Sequence, residues 1–354
     1  MVYKSQSVIK LPLAALALSL TLLISACGSG SGSTNANAPQ APTPTTKVEE
    51  KVQTINFAYM PNMGGAAPIA IGEEKGFFKE AGIKMNAVKF LSGPPEFQAM
   101  AAGEIDIAYI GPGATFLSAQ GQGNIIGIVS LGKSDMVFAT KKSGIKEFKD
   151  LKGKTVGVPK GTSGEMVLNL GIEKAGLKLS DVNIVNMDVA GAVTAYVAGK
   201  VDAVAIWSPY TSEIEKQIGK ENMVKLGDNS SFFPEYSFPS SWVVNPKFLK
   251  EKPELVDKFM KAMAKTTEYK ISHSDEAVKL TAAYTQVPED SLKQELESID
   301  WIDSKKLATI FKDGTAKQWF DNLQKLFVAN GKMDSIVPSE KFMTTDPAIK
   351  AVNP

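Results

Sequence analysis

The sequence predicts an α/β protein of two lobes, each a sheet flanked by helices, joined by two hinge crossings. Three observations predict it. Apolar and β-branched runs alternate with helical patterns along most of the chain, the arrangement that buries a sheet beneath helices. Two stretches repeat one plan at a spacing of roughly 95 residues: Ala81 to Lys84 leads to Ala99, Gly103 and Asp106, as Ala175 to Lys178 leads to Ala195, Gly199 and Asp202. Two β-like segments, Met136 to Lys141 and Pro239 to Val244, border the second unit and are expected to carry the crossings. A ligand can then sit between lobes that close on it.

In the first lobe, strands are expected at Thr54 to Met60, Ile83 to Phe90, Ile105 to Ile110 and Ile125 to Leu131, with helices at Pro68 to Ala81, Glu96 to Ala102 and Ala114 to Gly121. In the second, strands fall at Thr155 to Val158, Val182 to Met187 and Ala203 to Ile206, with helices near Ser163 to Ala175, Val189 to Ala198 and Pro209 to Ile218. Parallel sheets are expected, with Ala-Gly pairs ending helices at left-handed caps. After Asn245 the pattern is mostly helical, from Glu254 to about Ser272 and onward, and is expected to pack back on the first lobe. The lobes are therefore drawn as residues 52–138 plus 242–354, and 139–241.

The first residues read as a leader. Lys4 and Lys10 precede an apolar run from Leu11 to Ile24, followed by Ser25, Ala26, Cys27 and Gly28. That is a basic region, a short apolar core and a small-residue cleavage site, so residues 1–26 are expected to be a signal peptide; the run is short for a membrane span. Residues 27–51 hold hardly a large apolar side chain and read as a flexible tether.

The formal net charge is +1, which offers no basic field for nucleic acid. The chain contains no arginine, so any anion must be held by lysine, hydroxyls or backbone amides rather than by a bidentate guanidinium. A lone histidine, His273, and a lone cysteine, Cys27, leave a zinc or copper site without its usual ligands. They also leave a nucleophile–base pair without partners. No cofactor, metal or catalytic step is expected, and the protein is expected to be a monomer.

In doubly wound sheets the ligand lies at the carboxyl ends of strands, which selects six loops. In the first lobe they contribute Asn62, Met63 and Gly64; Ser92 and Gly93; and Gly111, Pro112, Ala114 and Thr115. In the second they contribute Lys160, Gly161, Thr162 and Ser163; Ala190; and Trp207 with Tyr210. The stretch Lys160 to Gly164 is the sharpest, since it follows a strand and opens a helix whose first amides point outward and suit an oxyanion. Helix capping alone also explains a hydroxyl there. Trp207 reads either as a ligand wall or as a core aromatic, Tyr210 as a ligand contact or as helix packing.

Several motifs carry a family resemblance: Gly72, Gly76, Phe77 and Phe78; Ala102 to Gly111; Asp150 to Gly157; Lys160 to Ser163; and Gly199 to Pro209. With these the chain resembles the substrate-binding proteins of the nitrate, aliphatic-sulfonate and taurine importers, and relatives that bind thiamine-precursor pyrimidines. Ile24 to Cys27 resembles a lipobox, which implies lipidation of Cys27 and anchoring on the extracytoplasmic face of the cell membrane. The resemblance implies a periplasmic-binding-protein-like fold of class II and docking to an ABC permease driven by its cytoplasmic ATPase. It implies that the glycine and hydroxyl loops hold a head group and that Trp207 meets the tail. The expected ligand is a small organic anion, sulfonate-type, its head held by Thr115, Lys160, Thr162 and Ser163. A neutral heterocycle such as a pyrimidine or flavin is the alternative, and an enzyme or sensor on the same fold a further one. Where sulfonate binders often carry Trp-Asp-Pro this chain has Trp207, Ser208 and Pro209, which removes a partner for a ligand amine and disfavours taurine.

Overall fold

The computed structural model describes residues 51–352. The expected leader, the Cys27 lipidation site and the tether up to residue 50 lie outside the described residues.

In chain order the strands are β1 (Gln53–Tyr59), β2 (Ile83–Lys89), β3 (Ile107–Ile110), β4 (Asn124–Leu131), β5 (Asp135–Thr140), β6 (Thr155–Val158), β7 (Asn183–Asn186), β8 (Ala203–Trp207), β9 (Met223–Asp228), β10 (Pro239–Val244) and β11 (Asp300–Trp301). They form two sheets, ordered β11-β4-β10-β3-β1-β2 and β7-β6-β8-β5-β9. The β-branched runs read from the sequence become these strands, and the buried positions of β3, β8 and β10 are almost continuous, as strands covered on both faces require.

The sheets are mixed rather than parallel. β1 pairs β2 and β3 in parallel, whereas β10 runs antiparallel to β3 and β4. In the second sheet β6 pairs β7 and β8 in parallel, whereas β5 runs antiparallel to β8 and β9. The two segments expected to carry the crossings are thus strands themselves. The chain passes between sheets at residues 132–134 and returns at residues 229–238. Each passage leaves a strand at its carboxyl end, so the next strand starts at that end and must run the other way. β5 and β10 are reversed for this reason, and both begin at the cleft; β11 also runs antiparallel to β4.

Helix ends depart from expectation where glycine or proline intervenes. The helix read as Pro68 to Ala81 divides into Ala67–Glu74 and Phe77–Glu80, because Gly76 takes a left-handed φ of 73° that ends a helical turn. The helix read from Glu96 begins at Gly93, since Pro94 and Pro95 suit the first turn, where no amide partner is needed. The helix read from Ala114 to Gly121 shrinks to a 3₁₀ turn, Pro112–Ala114, followed by Thr115–Ala119. Helix Pro253–Ser272 buries Leu255, Val256, Phe259, Met260 and Met263 and packs on helix Ala67–Glu74, which returns the C-terminal region to the first lobe.

Candidate functional site

The carboxyl ends of the parallel strands of both sheets face one cavity of about 40 Å³. From the first lobe it is lined by Met60, Asn62, Ser92, Gly93, Tyr109, Gly111, Pro112 and Ala114, with Glu295 and Ile299 from the C-terminal helices. From the second come Asp135, Gly161, Thr162, Ser163, Trp207 and Ser208, while Gly132 and Ser134 belong to a crossing and Ser240 to β10 of the first sheet.

Ten of the sixteen expected contact residues line it: Asn62, Ser92, Gly93, Gly111, Pro112, Ala114, Gly161, Thr162, Ser163 and Trp207. Six do not. Met63 is fully buried among Ala67, Ile71, Ala277 and Leu292. Gly64 lies behind Tyr109, so close that a Cβ would fall 2.1 Å from the phenol oxygen. Thr115 is turned into its own lobe with 0% exposure, because the 3₁₀ turn ahead of it shifts the helical phase. Lys160 and Ala190 are exposed; the Lys160 amide donates to Asn186 Oδ1 at 3.1 Å. Tyr210 lines an outer groove instead.

The backbones of the lobes meet beside the cavity. A Cβ on Gly113 would fall 2.0 Å from the carbonyl carbon of Thr162, so only glycine permits this approach. Lys332 spans the cleft to Glu165 at 3.0 Å, and Glu165 Oε2 accepts from the Gly161 amide at 2.6 Å. The ion pair therefore ties the first lobe to the loop that walls the cavity.

Two carboxyls, one from each lobe, dominate the electrostatics. Asp135 accepts from the Ser163 hydroxyl and, at 3.0 Å, from Asn229 Nδ2. Burial pushes its pKa up to about 6, against the opposing pull of those hydrogen bonds. Glu295 accepts from the Met63 amide at 3.2 Å, and burial pushes it up to about 8, with the Met63 amide and Lys270 opposing. Lys270 stands behind this wall, 1% exposed, its ammonium 3.5 Å from the Met63 carbonyl and 3.4 Å from the centre of the Trp301 ring. Burial depresses it to about 7, Glu295 opposing. The lining itself contains no lysine.

Of the four groups expected to grip an anion, two are engaged within the protein and two do not line the cavity. Thr162 donates its hydroxyl to the Pro159 carbonyl at 2.6 Å, Ser163 donates to Asp135, Thr115 faces away and Lys160 faces solvent. The side chains offer a ligand both kinds of group: Asp135 accepts, Glu295 keeps its proton to about pH 8 and can donate, and the lining hydroxyls do either. Asp135, Tyr109, Ser240 and Glu295 escaped the sequence reading. An acid opening the apolar strand Met136 to Thr140 was a usable signal for Asp135; nothing local marked Glu295, which reaches the cavity from a distant helix.

Residues 64–277 match the family described as NMT1/THI5 like. Over 292 residues the chain is 34% identical to a protein of Brucella abortus (strain 2308) provisionally named a binding protein, covering 82% of this chain and 90% of that one. A Bacillus subtilis (strain 168) protein provisionally named an aliphatic sulfonates-binding protein is 34% identical over 222 residues, 60% of this chain and 65% of its own length. The fold is shared with a solved ligand-binding component of an ABC-type import system from Staphylococcus aureus, TM-score 0.69, 15% identity, covering 85% of this chain and all of that one. It is also shared with the desulfurization enzyme DSZB, TM-score 0.60, 18% identity, covering 85% and 99%.

Proposed function

The chain belongs to the NMT1/THI5-like family, and on that premise we propose that it is the extracytoplasmic solute-binding component of an ABC importer. In this reading it is anchored through Cys27, captures a small molecule between its lobes and delivers it unchanged to a permease with its ATPase. The proposed ligand is a compact nitrogen compound rich in N–H donors, an aminopyrimidine-like heterocycle or a cation, rather than an alkylsulfonate. The observation that carries this reading is the pair of buried carboxyls, Asp135 on the second lobe and Glu295 on the first. A donor-bearing ligand bridges them and draws the lobes together, whereas a sulfonate meets two acids and no lysine. Both acids already hold protein donors, Ser163 and Asn229 on Asp135 and the Met63 amide on Glu295, and a ligand N–H would add to them at lone pairs that remain.

A second reading, a small organic anion, is favoured by one observation. Helices Gly93–Ala101 and Ser163–Lys174 both open on the cavity, and first-turn amides hold anions.

A thermal-shift screen of the chain from Gly28 onward separates the two. The panel is 4-amino-2-methylpyrimidine, riboflavin, agmatine, taurine, ethanesulfonate and nitrate; a ligand at ~100 times its dissociation constant adds about 2.7 kcal/mol. The donor reading expects stabilisation by the pyrimidine or agmatine that Asp135→Asn and Glu295→Gln each weaken. Stabilisation by ethanesulfonate alone, undiminished in both variants, would overturn it in favour of the anion.

A further inference from the structure

The contacts around Asp135 fix more than its position. β5 and β9 pair antiparallel with Met136 opposite Asp228, which brings Asn229, the first residue of the return crossing, beside Asp135. Asn229 is buried, 0% exposed, although it opens a loop; the Asp228 carboxylate caps its turn by accepting from the Ser230 amide at 2.9 Å. The Asp135 amide donates to Asn229 Oδ1 at 2.8 Å. A backbone N–H can only donate, so it settles which end of the Asn229 side chain is oxygen and turns Nδ2 toward Asp135 Oδ2, 3.0 Å away. On the other side the Ser163 hydroxyl donates to Oδ1.

These assignments make the two oxygens of Asp135 unequal toward a proton. Oδ2 faces a group that can only donate, and a protonated oxygen is the poorer acceptor. Oδ1 faces a hydroxyl that donates or accepts, so a proton added there keeps the bond and reverses it: Oδ1–H donates to Ser163 Oγ, and Ser163 turns its own hydrogen elsewhere. Both residues line the cavity, which is where that hydrogen can go. Burial raises the Asp135 carboxyl to about 6, so the exchange falls in a mildly acidic range. The neighbouring charges leave it that role. Tyr109 on β3 keeps its proton because burial raises it, and Glu295 approaches from helix Glu289–Ser298 on the other lobe. Glu165 on helix Ser163–Lys174 is paired with Lys332, and Asp228 on β9 with Lys225.

We propose that Asn229 is a positioning residue that sets the polarity of the site: it holds Asp135 Oδ2 as an acceptor and sends the proton to Oδ1, so that the Ser163 hydroxyl accepts from a ligand while Asp135 is ionised and donates to one when Asp135 is protonated. The inference rests on the cavity being the ligand site and deepens that reading. A nitrogen compound meets acceptors in the first state, whereas an anion meets a hydroxyl hydrogen beside the helix amides in the second.

Neutron diffraction from deuterium-exchanged, ligand-free crystals of the chain from Gly28 onward, at pH 5 and pH 8, reads the hydrogens directly. At pH 8 the Ser163 deuterium is expected to point to Asp135 Oδ1. At pH 5 a deuterium is expected on Oδ1, with that of Ser163 turned to the cavity. Asn229→Asp is isosteric and keeps an acceptor for the Asp135 amide, but sets a second carboxyl against Oδ2, with which it must share a proton. The ¹³C carboxyl titration of Asp135, assigned by its loss in Asp135→Asn, should then move up by about one pH unit or more. Deuterium on Oδ2 in the wild type, a Ser163 hydroxyl that keeps one direction at both pH values, or a titration unmoved by Asn229→Asp overturns the proposal. No ligand enters these measurements, so failure of the thermal-shift screen would remove the ligand reading and leave the switch to be decided by its own result.

Discussion

Glu295→Gln should stabilise the ligand-free protein near neutral pH and do so less and less as the pH falls. The substitution keeps an oxygen to accept from the Met63 amide, whose bond to Glu295 is 3.2 Å, and removes only the titration. Burial raises the Glu295 carboxyl from an ordinary 4.5 to about 8. Below pH 4.5 the folded and unfolded chains both hold the proton and the group contributes no slope. Between 4.5 and 8 the folded state keeps a proton that the unfolded state releases, so stability falls as pH rises. At about 1.4 kcal/mol per pH unit, the wild type gives up about 3 kcal/mol by pH 7, which the glutamine variant does not. Asp135, raised to about 6 by burial, adds a fall of the same sign between its ordinary 3.8 and 6, but it is present in both proteins and cancels. Urea unfolding of wild type and variant at pH 5 and pH 7.5 measures the difference. An advantage of the variant that is the same at both pH values would refute the reasoning, because it would mean the carboxyl is ionised in the folded state or stabilised by contacts the structure does not contain.

Further outcomes follow from neighbouring contacts. Lys270→Met should gain stability most at pH 6 and lose that advantage as pH rises toward 10.5, because burial depresses the lysine to about 7 and the folded state alone lacks the proton between those values; the same urea series reads it. Gly113→Val should hold the lobes apart, since its Cβ would fall 2.0 Å from the Thr162 carbonyl carbon; a larger radius of gyration by X-ray scattering at saturating ligand checks it. Lys332→Met removes a partly buried cross-cleft ion pair at 3.0 Å of about 1 kcal/mol and should raise the ligand dissociation rate about fivefold, with association little changed, as read by stopped flow.

The alternation of strands and helices was legible because it depends on local side-chain type. The runs at Thr54, Ile83, Ile105 and Ala203 all became strands. Strand direction was not, because β5 and β10 are reversed by where the chain enters each sheet, a property of the crossings rather than of any residue in Met136–Thr140 or Pro239–Val244. The loops of the site were legible for the same topological reason that sheets bind ligands at their carboxyl ends. Side-chain aim was not. Thr115 and Ala114 are neighbours, yet only Ala114 faces the cavity, because a 3₁₀ turn rotates the next residue inward. Ser163 was read as a donor to ligand, and its hydroxyl is spent on Asp135, a partner visible only once β5 is placed beside helix Ser163–Lys174. Glu295 reaches the same cavity from a helix with an unremarkable polar pattern, and burial alone gives it meaning.

The acids make the pH dependence of binding a direct reporter of ligand charge. An anion placed about 4 Å from an ionised carboxylate meets a repulsion of about 4 kcal/mol at an effective dielectric constant of 20, so it binds well only while Asp135 is protonated. With the Asp135 pKa raised to about 6 by burial, an anionic ligand should hold its affinity below pH 6 and lose about tenfold per pH unit above it. A cationic or donor ligand reverses the sign: its affinity rises toward pH 6 as Asp135 ionises, then levels. It can rise again toward pH 8 as Glu295 follows, since burial holds that proton to about 8. Asp135→Asn should flatten the lower limb in either case and Glu295→Gln the upper one. Calorimetric titration from pH 5 to pH 9 in two buffers of different ionisation enthalpy measures both affinity and proton release. A falling profile with proton uptake would assign the cleft to an anion; a rising profile with proton release would assign it to a nitrogen compound. A flat profile in the wild type would mean that neither carboxyl touches the ligand, and the chemistry would then rest on the helix amides alone.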